Sequence, residues 1–249
     1  MNPQTNLITC FLICTILISC QGEAGKKSLQ RTIISAVSVK KQPYKGTGKL
    51  IPINFKDSSY TDVQFYAKDT LTKGGWSIKY FVKDDSTRYD DIYIQWSNKK
   101  HSGLYCADAV LQFRRYFIPK YKGENDKHLF FTHACATTCK AILTVSKDKD
   151  LAIRSFVTMI DYNIPNGQVV YVADHPYSDS ELEVSVVDLN KMVEKQVAFK
   201  NKPLYLEADQ NIDSVSFSKK RIKLFATMID IRDKTERKMI RETHQIDLP

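Results

Sequence analysis

Residues 74–85 read GGWSIKYFVKDD. Trp76, Ile78, Tyr80 and Val82 occupy every second position, with Ser77, Lys79 and Phe81 between them. Successive side chains of an extended chain point to opposite faces, so this period buries one face and identifies a β-strand. Residues 89–96, YDDIYIQW, repeat the pattern with Ile92, Ile94 and Trp96 on one side. The polar stretch KDDSTRYD at 83–90 joins the two, which makes a hairpin the economical reading.

Further strand candidates lie upstream at 33–42 (IISAVSVKKQ) and within 49–69, separated by the Pro and Gly punctuation of QPYKGTGK. Segment 104–117, LYCADAVLQFRRYF, is readable two ways: Cys106, Val110, Phe113 and Phe117 share one helical face, while the aromatic content suits a strand. A charged loop, PKYKGENDK, follows at 119–127, and then HLFFTHACATTCKAILTV, two apolar runs around a compact polar centre.

The second half contains an echo. IRSFVTMID at 153–161 and IKLFATMID at 222–230 share Ile, a basic residue, Phe, Thr, Met, Ile and Asp at the same offsets. Each continues through a polar turn, IPNG or KTER, into a returning arm, so both read as hairpins. LEVSVVDLNKMVEKQVAF at 182–199 reads as another, turning at Asn190 and Lys191. Two copies do not make a solenoid. The fold expected is mainly β, an antiparallel β-sandwich type in two β-rich domains, 29–146 and 147–249, with at most one or two helices. The charged SKDKD at 146–150 marks the expected boundary.

The chain has 249 residues, 43% of them apolar and 26% charged, with a formal net charge of +9. That composition belongs to a globular body and excludes a disordered one. A basic surface suits phosphate-rich lipid heads, polyanionic sugars or nucleic acid. Residues 7–19 form an uncharged, mostly apolar run, too short to cross about 30 Å of hydrocarbon and of the right length for an export signal. An exported protein seldom meets nucleic acid, so no such partner is expected.

Small residues offer a general secretory cleavage site, with Cys20 and Gly22 or Gly22 and Ala24 before the cut. The sequence Leu17-Ile18-Ser19-Cys20 also closes the apolar core with a hydrophobic residue, a variable one, a small one and a cysteine. This resembles the lipobox of bacterial envelope lipoproteins. The resemblance implies that residues 1–19 are removed and that Cys20, thioether-linked to diacylglycerol, becomes the new N-terminus. Residues 20–28 would then be a polar, Gly-containing tether.

Beyond Cys20, the cysteines are Cys106, Cys135 and Cys139. Outside the cytosol two of them are expected to be oxidised together. Cys135 and Cys139 are too far apart to bond along one strand, where four residues rise about 13 Å, but a tight turn over CATTC would allow it. Cys106 could instead take either partner. Left reduced, Cys135 or Cys139 beside His133 is a nucleophile candidate, and with His101 or Cys106 a zinc candidate, although the spacing matches no zinc pattern. Asp174, His175 and Asp179 share one loop, and Asp90 and Asp91 adjoin; a polar turn and strand-edge charges explain these equally well. No phosphate-cradling glycine loop, HExxH helix or GxSxG elbow occurs.

The densest basic run, Lys219, Lys220, Arg221 and Lys223, is a polyanion-binding candidate or a lysine-guarded strand edge. The function expected is that of a lipid-anchored exported protein of the bacterial cell envelope, non-catalytic, with a binding or structural role. Its partners would be the membrane and an envelope protein or polyanionic polysaccharide; no cofactor or metal is expected. The alternatives are a freely secreted eukaryotic β-rich binding or host-interaction protein, and an enzyme using the Cys/His cluster near residue 133.

Overall fold

A computed structural model describes residues 49–53, 68–83, 92–107, 115–136, 138–148, 152–172, 182–205, 207–235 and 237–249. The expected signal, tether and first strand candidate lie outside these residues. Within them, four antiparallel sheets follow one another in chain order.

The first sheet holds β1 (Leu50–Pro52), β2 (Thr70–Leu71), β3 (Ser77–Lys83), β4 (Ile92–Ser97) and β5 (Ser102–Ala107). Strands β1 and β2 lie end to end along one edge of β3. The β3–β4 pairing expected from residues 74–96 sets Ile78 opposite Trp96 and Tyr80 opposite Ile94, and all four are buried. Trp96 also lies across from Gly103, where a Cβ would come within 2.5 Å of the indole, so only glycine leaves room for that ring.

The second sheet runs β6 (Lys120–Glu124), β7 (His128–Ala134), β8 (Lys140–Ser146) and β9 (Ile153–Phe156). The third runs β10 (Met159–Asn163), β11 (Gln168–Val172), β12 (Glu183–Asp188) and β13 (Val193–Ala198). In the fourth, β14 (Lys202–Pro203) and β15 (Ile212–Phe217) share one edge of β16 (Arg221–Ile229), and β17 (Met239–Asp247) covers the other.

Three apolar layers glue these sheets together. Ile78, Ile94 and Trp96 of the first meet Leu129, Phe131 and Leu143 of the second. Val184 and Val186 of the third meet Ile222, Leu224 and Met228 of the fourth. Between the two sandwiches so formed, Phe130, Ile142 and Phe156 pack against Met159, Val169 and Val187. The second and third sheets therefore bury both faces. Their central strands lose the alternation of β3 accordingly: Ala141–Val145 and Val184–Asp188 are buried without a break. Polar ties cross the same seam, with Asn125 Nδ2 donating to Ile164 O at 2.9 Å and Lys127 Nζ to Asn190 O at 3.0 Å.

Several expectations change. Residues 102–107 are a strand, so the helical alternative for 104–117 fails over its first turn, and residues 108–114 lie outside the description. Pairing with β4 satisfies this backbone, which a one-sided helical pattern does not reveal. Among the described residues the helical elements are two short 3-10 turns, Arg115–Phe117 and Ala208–Asn211. The charged 119–127 stretch is partly strand β6, whose lysines are tolerated because it is a sheet edge. Pairing also runs across the position expected as a domain boundary, since β8 and β9 are neighbours in one sheet. The chain passes from the second sheet to the third at Val157–Thr158, where Thr158 takes a left-handed φ of 52°.

Phe130 is wholly buried in the middle layer. Phe130→Ala is expected to lower stability in urea unfolding by about 3–5 kcal/mol. Leu71→Ala, at a side chain 78% exposed, should stay within about 0.5 kcal/mol of the parent.

Candidate functional site

The β7–β8 hairpin closes through CATTC. Cys135 N donates to Cys139 O at 3.0 Å, which folds the loop back on itself and brings the two Cα atoms to 5.1 Å. Cys135 and Cys139 form a disulfide. That bond consumes the thiols needed for the nucleophile and zinc readings. Among the described residues no three His, Cys, Asp or Glu side chains gather as a metal site. Cys106 lies on β5 opposite Tyr93, and His101 turns between β4 and β5, where Asn98 Oδ1 accepts its backbone N–H at 2.7 Å.

His133 has a different setting. Its Nδ1 is 2.8 Å from Ala134 O, and a carbonyl only accepts, so Nδ1 carries a proton and Nε2 presents a lone pair in the neutral ring. Burial pushes its pKa below the usual histidine value, the carbonyl hydrogen bond opposing only in part. The ring is neutral at pH 7.

His133 lines a groove of about 460 Å³ at the side of the middle layer. The groove opens between β6, an edge of the second sheet, and β10, an edge of the third. Lys120 and Lys122 reach it from β6, Lys140 from the start of β8, and Asp161 and Tyr162 from β10, with Tyr116 and Ile118 beside them. These lysines were missed as site residues in the sequence. Their signal was the alternation Lys120-Tyr121-Lys122, which puts both ammonium groups on one face of a strand while Tyr121 packs inward.

The basic run at 219–223 divides between a turn and a strand. Lys219 and Lys220 sit in the β15–β16 turn, and Arg221 and Lys223 lie on the exposed side of β16. Arg221 is paired, Nε to Asp247 Oδ1 at 2.8 Å. Elsewhere, half-buried acids tie chain segments together. Glu242 accepts from Lys200 N at 2.9 Å and Asn201 Nδ2 at 2.7 Å, with His244 Nε2 at 2.8 Å. Glu124 accepts from Gly74 N at 2.6 Å and pairs with Lys147 at 2.6 Å, which ties the first sheet to the second. Burial works to raise its pKa, yet these donors hold the carboxyl below its usual value.

Cys20, Asp90, Asp91, Asp174, His175 and Asp179 lie outside the described residues. Comparison with protein-family models, curated proteins and solved structures finds no match to this chain.

Asp230 closes the turn after β16. Hydrogen bonds from the Arg232 side chain, at 2.8 and 2.9 Å, and from its backbone N–H at 3.0 Å hold the carboxyl down to about 2. A depressed carboxylate contributes stability that is complete above its unfolded value of 3.8 and lost as pH falls through 2. Melting temperature followed against pH should show Asp230→Asn below the parent at neutral pH, with the gap closing between roughly pH 4 and 2.

Proposed function

We propose that this chain is an exported, non-catalytic binding protein of the bacterial cell envelope, held to a membrane through a lipid on Cys20. The observation that carries the export half is the Cys135–Cys139 bond, because disulfides persist in oxidising compartments and are rare where thiols are kept reduced. The Leu17-Ile18-Ser19-Cys20 sequence at the end of an apolar core supports the anchor. A stack of sheets with a lysine-rimmed groove at its edge suits ligand capture, since rigid strands position side chains without closing motions.

Palmitate labelling of the parent and of Cys20→Ser, followed by fractionation, tests this reading. The parent should carry label and sediment with membranes. The variant should be unlabelled and released, with an unchanged β-type circular dichroism spectrum. An unlabelled parent whose mature N-terminus lies beyond residue 22 would instead identify a freely secreted protein.

A further inference from the structure

Around the groove between β6 and β10, Lys120, Lys122 and Lys140 place positive charge at one concavity. Among the described residues none of the three carries an ion pair. Lys147 and Lys191, by contrast, meet carboxylates at 2.6 and 3.3 Å. Clustered like charge over low-dielectric walls creates a potential that concentrates anions. The neutral His133 adds no charge to it, so the selectivity comes from the lysines.

The rest of the lining narrows the anion. Asp161 Oδ1 accepts the Tyr162 N–H at 2.8 Å, and its second oxygen can accept from a ligand hydroxyl. A bare phosphate brings no hydroxyl array to that carboxylate, and a phosphatidylglycerol headgroup brings only a single diol, whereas a chain of sugars presents many hydroxyls beside its acidic groups. Tyr116, 53% exposed, together with Tyr162 and Ile160, supplies ring and aliphatic surface. Such amphipathic surface matches the C–H face of a sugar ring, while lysines match acidic substituents and Asp161 matches hydroxyls. The volume lies within the range of small-molecule sites, and an opening between two sheet edges lets a chain of sugars continue past it.

We propose that this groove binds an acidic carbohydrate, a chain of sugars bearing carboxylate or sulfate groups. The assignment deepens the binding role above and rests on it for its setting. Full-length protein would be titrated calorimetrically with a uronic-acid hexasaccharide, a sulfated hexasaccharide, a neutral glucose hexasaccharide, inorganic phosphate and phosphatidylglycerol vesicles. At least one acidic hexasaccharide should bind, and the neutral one, phosphate and vesicles should not. Lys120→Ala/Lys140→Ala should weaken binding roughly tenfold or more. Both side chains are exposed, so its melting temperature should match the parent's. Lys219→Ala/Lys220→Ala, in the β15–β16 turn, should bind as the parent does. The assignment is overturned if neither acidic hexasaccharide binds, if phosphate or vesicles bind in their place, or if the loss follows the 219/220 variant instead. Saccharide binding by a chain that never associates with membranes would sink the anchor and leave this site standing. Membrane retention with no saccharide binding would do the reverse.

Discussion

The second and third sheets each bury both faces, and the rest of the molecule is arranged around that constraint. A sheet with two apolar faces needs a cover on each side. The first and fourth sheets provide the outer covers, and the two inner sheets cover one another through Phe130, Ile142, Phe156, Met159, Val169 and Val187. At about 25 cal/mol per Å², aromatic and aliphatic side chains withdrawn from water on this scale make the middle layer a main source of stability. Two independent sandwiches would expose it.

How much of this was legible depended on the number of faces buried. The strand at Ser77–Lys83 could be read directly, because Ile78 and Tyr80 go inside while Lys79 stays exposed, and one-sided burial writes a period of two into the sequence. Ala141–Val145 and Val184–Asp188 carry no such period, so the sequence reveals strands there but not the sheet stacked on each side. The echo shows the same limit. In IKLFATMID the chain runs straight through Phe225, Ala226 and Thr227 within β16. In IRSFVTMID it breaks at Val157 and Thr158 and changes sheet. Nearly identical residues adopt both courses because tertiary packing, not local preference, decides which neighbours each strand finds. The charged run at 146–150 shows a related limit: it links two paired strands, and a polar link within a sheet has the same composition as one between domains.

The candidate site was less legible than the fold. Cysteine spacing left the pairing open, and only the return of the CATTC loop, with Cys135 N bonded to Cys139 O, selects the local bridge. Lys120, Lys122 and Lys140 look like ordinary solubilising charge along the chain. Their significance comes from two sheet edges converging, which brings β6 and β8 of one sheet to β10 of another. The densest basic run drew attention in the sequence, yet one of its members is already paired with Asp247. Density along a chain and density in space are different quantities.

Native-state hydrogen exchange read by mass spectrometry tests the central claim most directly, because amide protection reports the free energy of each opening unit. If the middle layer joins the two sandwiches, amides of β7, β8, β11 and β12 will be the most protected and will exchange together in a single global opening. Protection in residues 49–156 that is lost at a distinctly lower free energy than in 159–249, with the remaining half still closed, would contradict the account.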